Sequence, residues 1–221
     1  RVNFARLKAD GTVADRRAGR LATEENRKLS DLIRRSVRLD FGGELFFETV
    51  SEHRALLVLR GNELGGRVSD TDPQQTGIPA AEPHGADEPC RKTAGLVQDF
   101  LGQAAEALHE KPANGLLLRG FEKFAPIPTL NDRFGLRGLC LARYPMYRGL
   151  ARLLGMDVTP KPGNTEEMFQ AYQKSFGEEY DLFFLHVKGT DKAGEDGDID
   201  SKVRVLEAVD RQLPDLVASK P

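Results

Sequence analysis

Charged residues follow directly after an apolar run near the end of the chain, in the segment DLFFLHVKGTDKAGEDGD at residues 181–198. The run DLFFLHV is typical of a buried strand, and ligands of open parallel sheets bind beyond the carboxyl ends of their strands. Asp191 and Glu195 can supply oxygen ligands to a hard cation such as Mg²⁺ or Mn²⁺, and Lys188 or His186 can hold an anion. The alternative is a solvated acidic loop that leads into a helix.

Arginine-rich segments in the first half of the chain offer a second kind of chemistry. The segment DRRAGR places Arg16, Arg17 and Arg20 close together in the sequence, and Arg119 ends the run LLLRG. Guanidinium forks bind phosphate or carboxylate oxygens in bidentate geometry. A surface turn before a helix explains the first three arginines equally well, and a salt bridge would suit Arg119.

Two further segments, EHRALLVLRG and RVSDTDP, carry charged residues beside predicted strands and turns. Arg54 and Arg60 share one side of a strand because side chains alternate with a period of two. They lie about 20 Å apart along that strand, so they cannot grip one phosphate together and one of them is structural. Turn or helix capping explains Asp70 and Asp72 as well as chemistry does.

Composition excludes several classes of function. The chain has 221 residues, 39% of them hydrophobic, with 32 Lys and Arg against 34 Asp and Glu. This balance gives no bulk affinity for nucleic acid, and no apolar run approaches the ~18 residues of a membrane span. Cys90 and Cys140 make no disulfide framework and fit a reducing compartment. With no signal peptide visible, we expect a cytoplasmic protein that has neither nucleic acid nor a membrane as partner.

The hydrophobic pattern changes near residue 136. Before it, helical spacing and β-rich runs predict an α+β part over residues 1–136, with a hairpin and a long irregular loop. After it, strands and helices alternate over residues 137–221, which predicts an α/β part with a parallel sheet and helices on its faces. The predicted elements of the first part are a helix at Thr23–Leu39, the hairpin ELFFETV and RALLVLRG, a loop at Gly61–Pro89, a helix at Arg91–Glu110 and the strand GLLLRG, followed by an irregular segment at Phe121–Phe134.

These motifs, in this order, resemble the archaeal-type cofactor-independent phosphoglycerate mutases of the alkaline phosphatase superfamily. The resemblance rests on NFA, DRRAGRLATEEN, EHRALLVLRG, VSDTDP, LLLRG, GLARLLGM and FFLHVKGTDKAGEDGD. It implies an alkaline-phosphatase-like parallel sheet with helices on both faces, interrupted by an inserted α+β domain that grips the substrate. It also implies interconversion of 3-phosphoglycerate and 2-phosphoglycerate through an enzyme serine, with two divalent ions (Mn²⁺, Mg²⁺ or Zn²⁺) and without 2,3-bisphosphoglycerate.

The resemblance assigns roles to individual residues. Asp191 matches a metal ligand, and Glu195 stands where the family usually has a ligating histidine, which changes the charge and reach of that ligand. Lys188 joins the substrate-binding set from its place after the last strand. The candidate substrate-binding residues are Arg16, Arg17, Arg20, His53, Arg54, Arg67, Asp70, Arg119 and Lys188.

The family's nucleophilic serine and its remaining metal ligands have no counterpart in these 221 residues. We therefore expect a fragment of a longer protein that has no mutase turnover alone. Two alternatives stay open. One is a non-catalytic module that binds phosphorylated metabolites through its arginines. The other is a related phosphotransferase or phosphatase for another small metabolite, to which Glu195 would point.

Overall fold

The computed structural model describes residues 1–177 and 179–218. The chain divides into two compact units, Arg1–Phe124 and Ala125–Pro221. Within the described residues, no helix is both long enough and apolar enough to cross a membrane.

The first unit, all of which is described, pairs an antiparallel sheet with helices and is α+β as predicted. Strand β1 pairs with β2, β4 and β5, and β4 pairs with β3, always antiparallel. The predicted hairpin is confirmed as β3 and β4. The elements in chain order are β1 (Val2–Leu7), β2 (Val13–Asp15), α1 (Thr23–Ser36), β3 (Glu44–Ser51), β4 (Arg54–Arg60), α2 (Glu88–Leu108) and β5 (Gly115–Leu118).

The core of this unit lies between the sheet and its two helices. Alternate residues of β1, Val2 and Phe4, belong to one cluster with Ile33 of α1 and Phe100 of α2. Phe47 of β3 joins them, with its ring 6.1 Å from Phe4 and 5.6 Å from Phe100. Period-two strands and period-3.6 helices thus bury one face each. The residues of β1 that alternate with Val2 and Phe4 face the other side of the sheet.

The long loop between β4 and α2 packs on that other side. Ala80 lies against Ala5, Val13 and Leu117, and Val68 packs with residues of α2. Helix α2 begins at Glu88, three residues before the predicted start, because Asp87 caps it through the Cys90 N–H and a proline fills its first turn. Near Asp70 and Asp72 the loop contacts the sheet, because the N–H groups of Thr71 and Asp72 donate to the Leu118 carbonyl oxygen at 2.8 and 3.1 Å.

The second unit has a parallel sheet in which β6 lies between β7 and β8. Leu139 and Leu141 pack with Met168 of α5, whereas Cys140 and Ala142 pack with α4 on the opposite face. Helices therefore cover both faces, as the sequence predicts. The described elements are α3 (Leu130–Phe134), β6 (Gly138–Cys140), α4 (Pro145–Leu153), β7 (Asp157–Val158), α5 (Thr165–Ser175), β8 (Leu182–Phe184), α6 (Gly189–Glu195), α7 (Ile199–Asp210) and α8 (Leu213–Ala218).

One local prediction is wrong. The segment Phe121–Phe134 is not irregular throughout, because Thr129 and Asp132 form a capping box that starts α3 and Gly135 closes it with φ of 66°. The alternative of an acidic loop directly after β8 does not hold either, because that segment forms α6 with Ala193 buried. The units divide after Phe124, whereas the sequence pattern changes near residue 136, and Leu130 packs with the second unit's β6.

Candidate functional site

The arginines of DRRAGR lie in a tight turn that follows β2. The Asp15 carboxylate accepts hydrogen bonds from the N–H groups of Arg17 (2.8 Å) and Gly19 (2.5 Å). Ala18 and Arg20 adopt φ values of 48° and 60°, in the left-handed region that non-glycine residues rarely occupy. Ala18 is buried and anchors the turn, so the backbone strain is held by packing.

Arg16 is engaged in a buried ion pair. Its Nε and Nη2 donate to the two carboxylate oxygens of Asp72 at 2.9 and 2.7 Å, and the Asp72 side chain is fully buried. Burial alone would raise the pKa of Asp72, but the hydrogen bonds from Arg16 and from the Gln74 N–H outweigh it and lower the pKa. Arg16, predicted to bind substrate, thus has most of its fork occupied by the protein.

His53 lies in the turn between β3 and β4 and is buried, with its carbonyl oxygen accepting from the Phe4 N–H at 2.8 Å. Burial, followed by the charge of Arg54 and with a further contribution from Arg17, lowers the pKa of His53 to about 4. The imidazole is therefore neutral near pH 7. Arg17 is exposed, and its guanidinium forms no hydrogen bond or ion pair with the described residues, so its charge is available to a ligand.

Arg54 and Arg119 reach the same region from the sheet. Arg54 lies opposite Asn3 in the β1–β4 register, and its Nη1 donates to Glu52 at 3.1 Å. The Arg119 N–H donates to the carbonyl oxygen of Arg1 at 2.9 Å, because the carboxyl end of β5 lies beside the start of β1. The starts of β1 and β4 and the end of β5 therefore meet.

Asp70 and Arg119 are tied to the long loop at this place. The Asp70 carboxylate accepts from the Gly120 N–H at 2.8 Å, and Arg119 Nη1 donates to Gln74 Oε1 at 3.2 Å. The charge of Arg119 also lowers the pKa of Asp72. We call Arg16, Arg17, His53, Arg54 and Arg119 the arginine cluster.

Arg67 belongs to a different local arrangement. It pairs with Asp87, the residue that caps α2. Hydrogen bonds from Cys90, followed by that from Arg67, lower the pKa of Asp87 to about 2. Arg67 thus supports the start of α2, and Arg20, the last arginine of the turn, is exposed.

In the second unit, polar groups lie near the point of the sheet where successive strands are added first on one side of β6 and then on the other. The order β7-β6-β8 places a switch point between β6 and β8, and such points bind ligands beyond the strands' carboxyl ends. His186 lies there, with its ring 4.0 Å from that of Tyr147, and Lys188 Nζ lies 5.7 Å from the ring centre of Tyr144. Burial lowers the pKa of His186, and its buried Nδ1 has no hydrogen-bond partner among the described residues.

The two predicted metal ligands lie on α6. Asp191 and Glu195 are four residues apart and so share one face of the helix. Lys188 pairs with Asp191, and hydrogen bonding to Asp191 together with the charge of Glu195 raises the pKa of Lys188. Asp191 therefore already pairs with one cationic group, and carboxylate oxygens are also the ligands that a hard divalent ion prefers. Over residues 1–177 and 179–218, no set of three or more His, Cys, Asp or Glu side chains is arranged for a metal.

Sequence reasoning missed two residues of this arrangement, Gln74 and Asn3. For Asp72 it left capping and chemistry open, and it did not identify Arg16 as the partner of Asp72. Asn3 is buried, and its Oδ1 has no hydrogen-bond partner in the described residues. An asparagine between the apolar residues Val2 and Phe4 of β1 is a signal that could have identified it, whereas the partner of Asp72 lies 56 residues away and leaves no local signal.

This chain is similar to a family model and to curated relatives. The family model of 2,3-bisphosphoglycerate-independent phosphoglycerate mutase matches residues 1–114. Two curated relatives named "Probable 2,3-bisphosphoglycerate-independent phosphoglycerate mutase", from Thermotoga neapolitana and Thermus thermophilus, are each 41% identical over the whole chain. This chain spans 55% of the length of each.

Two solved structures are similar to this chain. A cofactor-independent phosphoglycerate mutase from Thermoplasma acidophilum matches with a TM-score of 0.61 and 29% identity, over 84% of this chain and 54% of that one. A Pyrococcus horikoshii protein matches with a TM-score of 0.69 and 22% identity, over 99% of this chain and 54% of that one, which shows the shared fold.

Proposed function

The chain belongs to the 2,3-bisphosphoglycerate-independent phosphoglycerate mutases, and from this membership we propose that it works in the interconversion of 3-phosphoglycerate and 2-phosphoglycerate. The observation that carries the proposal is the arginine cluster, in which Arg54 and Arg119 lie where the starts of β1 and β4 and the end of β5 meet, and the charge of Arg17 acts on His53 beside Arg54. The substrate carries a phosphate and a carboxylate, and guanidinium groups bind both.

Within the cluster, Arg17 is the arginine best placed to bind the substrate, because its guanidinium has no ion-pair partner in the described residues. Neutral His53 would offer a hydrogen bond to a glycerate hydroxyl without adding charge. Arg54, Arg119 and the third nitrogen of Arg16 would complete the grip, with Arg20 and Asp70 beside them. Arg67 would act indirectly, through the start of α2.

Asp191 and Glu195 would hold one of two divalent ions, with Lys188 adding positive charge for the phosphoryl group. Such ions, when bound, neutralise charge on a transferring phosphoryl group and lower the cost of an alkoxide nucleophile. The phosphoryl group would pass through an enzyme serine, and the resemblance assigns no serine of these 221 residues to that role. We place the reaction in glycolysis and gluconeogenesis in the cytoplasm.

The test is an assay of the natural full-length protein with 3-phosphoglycerate and Mn²⁺, without 2,3-bisphosphoglycerate, following 2-phosphoglycerate through enolase. Arg17→Ala should lower kcat/KM by roughly tenfold to a hundredfold, because a charge-assisted contact is lost. Arg60→Ala is the matched control and should leave kcat/KM unchanged, since Arg60 pairs with exposed Glu44 at the other end of β4.

Each contrary outcome has a distinct meaning. Release of inorganic phosphate without 2-phosphoglycerate would favour a phosphatase, the alternative that Glu195 suggests. Binding of 3-phosphoglycerate without any turnover would favour a binding module. Equal activities of the Arg17→Ala variant and the wild type would exclude Arg17 from the substrate grip.

A further inference from the structure

Asp72 is a buried carboxylate in the loop between β4 and α2, and neither the family resemblance nor the proposed function assigns it a role. Its side chain is fully buried, and it accepts from Arg16 Nε, Arg16 Nη2 and the Gln74 N–H at 2.9, 2.7 and 2.9 Å. A buried charge persists only where such partners compensate its lost hydration.

The bidentate pair fixes the plane of the Arg16 guanidinium. Two parallel N–H···O bonds leave a planar fork no freedom to rotate about its long axis. The third nitrogen, Nη1, has no hydrogen-bond partner in the described residues, and the side chain remains 27% exposed. Asp72 therefore determines the direction in which the remaining donors of Arg16 are presented.

Asp72 also reaches a second arginine through Gln74. Gln74 has φ of 59°, in the left-handed region, and its N–H is held by Asp72. The Gln74 side chain in turn accepts from Arg119 Nη1 at 3.2 Å. One buried carboxylate thus connects the turn after β2 with the carboxyl end of β5.

We propose that Asp72 is a positioning residue of the substrate site, which orients Arg16 directly and Arg119 through Gln74 for an anionic phosphoglycerate. This inference rests on the proposed function. Asp72 does not itself touch the substrate, because its oxygens are occupied and its side chain has no exposed surface.

The competing explanation is that Asp72 only shapes its own loop. Asn at this position keeps an oxygen that can accept the Gln74 N–H, so the turn survives, but the charged bidentate bond to Arg16 is lost. Asp72→Asn therefore separates the two roles. Asp10→Asn is the matched control, because Asp10 makes the same kind of turn with the Thr12 N–H and holds no arginine of the described residues.

The experiment measures KM and kcat for 3-phosphoglycerate in the natural full-length protein. Asp72→Asn should raise KM roughly tenfold and change kcat less than about twofold, because ground-state and transition-state binding lose the same contact. Gln74→Ala removes only the bond to Arg119 and should raise KM about two- to threefold. Its effect should persist in the Asp72→Asn background, because Asn still accepts the Gln74 N–H and so leaves the Gln74–Arg119 bond in place.

Several results would overturn the inference. An unchanged KM in Asp72→Asn would do so, as would a fall in kcat alone, which would place Asp72 in the chemistry. If Asp72→Asn does not fold, Gln74→Ala becomes the deciding variant, because Gln74 is exposed and its replacement should leave the fold intact. An unchanged KM in Gln74→Ala contradicts the relay to Arg119.

Calorimetric titration with inorganic phosphate separates this inference from the proposed function. If the wild type shows no mutase activity, the proposed function fails, yet Asp72→Asn should still weaken phosphate binding roughly tenfold. Equal phosphate affinity in the variant would then refute the role of Asp72. A wild-type protein that binds no phosphate at all would refute both.

Discussion

Arg16 and Asp72 form one ion pair, but their side chains are buried to different degrees. Asp72 is fully buried, whereas Arg16 is 27% exposed. Removing one partner of a buried pair costs about 3–5 kcal/mol because the remaining charge stays uncompensated. Loss of Arg16 would leave the more deeply buried charge of Asp72 unpaired. Lost activity in an Arg16 variant would therefore reflect reduced folding stability as well as any loss of substrate binding.

His53 makes a pH prediction at the same scale. Its folded pKa of about 4 lies below the ordinary 6.5, so the unfolded chain takes up a proton first as the pH falls. The contribution of His53 to the free energy of unfolding is fully present above pH 6.5 and declines as the pH falls from 6.5 towards 4. The total loss is at most about 3 kcal/mol. Urea unfolding between pH 4 and 7 measures this decline.

Replacement of the imidazole isolates its contribution to the pH profile. His53→Asn should flatten the decline between pH 6.5 and 4, whatever its effect on stability at pH 7. His84→Asn is the control and should leave the slope unchanged, because His84 is exposed. A slope that persists in His53→Asn would show that another group carries it.

At the scale of elements, the long loop reaches the arginine cluster because glycines let it approach α2. A Cβ on Gly85 would lie 2.1 Å from the carbonyl carbon of Cys90, a backbone atom that cannot move aside. We expect Gly85→Ala to displace the loop, to cost roughly 1–3 kcal/mol by overpacking, and to raise the KM for 3-phosphoglycerate. Thermal unfolding and steady-state kinetics measure the two effects.

A glycine within α2 provides the comparison. A Cβ on Gly95 would meet no atom within 4 Å, so Gly95→Ala adds helix propensity and should stabilise the protein by up to about 1 kcal/mol. Its KM should stay unchanged. Gly85→Ala with wild-type stability would contradict the close approach between the loop and α2.

At the scale of the whole molecule, the two kinds of chemistry lie in different units. The arginine cluster belongs to Arg1–Phe124, and the carboxylates of α6 belong to Ala125–Pro221. We expect Mn²⁺ alone to slow amide exchange in α6, and 3-phosphoglycerate with the metal removed by EDTA to slow it in residues 15–20 and 69–74. Hydrogen exchange followed by mass spectrometry on the full-length protein measures both.

The control for that experiment is the Arg17→Ala variant. Its protection by Mn²⁺ should equal that of the wild type, and its protection by 3-phosphoglycerate should be weaker. Protection of α6 by the substrate alone, without any metal, would contradict the division of chemistry between the units.

The amino-acid sequence by itself determined the elements and the types of side chain at the site. Helical spacing in α1, the β-rich runs of the hairpin, and the alternation of strands and helices after residue 136 are local patterns, and the structure shows the predicted elements. The capping box of α3 was equally local but was overlooked. The run of charges after β8 singled out Asp191 and Glu195 as candidate ligands, although it did not reveal that they lie on a helix.

Only the tertiary structure decided which arginine forms an ion pair within the protein and which remains exposed to bind a ligand. Arg16 and Arg17 are neighbours of identical chemistry, yet Arg16 pairs with Asp72, 56 residues away, and Arg17 remains exposed. Likewise His53 is neutral because packing buries it beside Arg54. Local periodicity reports which face of an element is buried, whereas partners and pKa values depend on which distant groups the fold brings together.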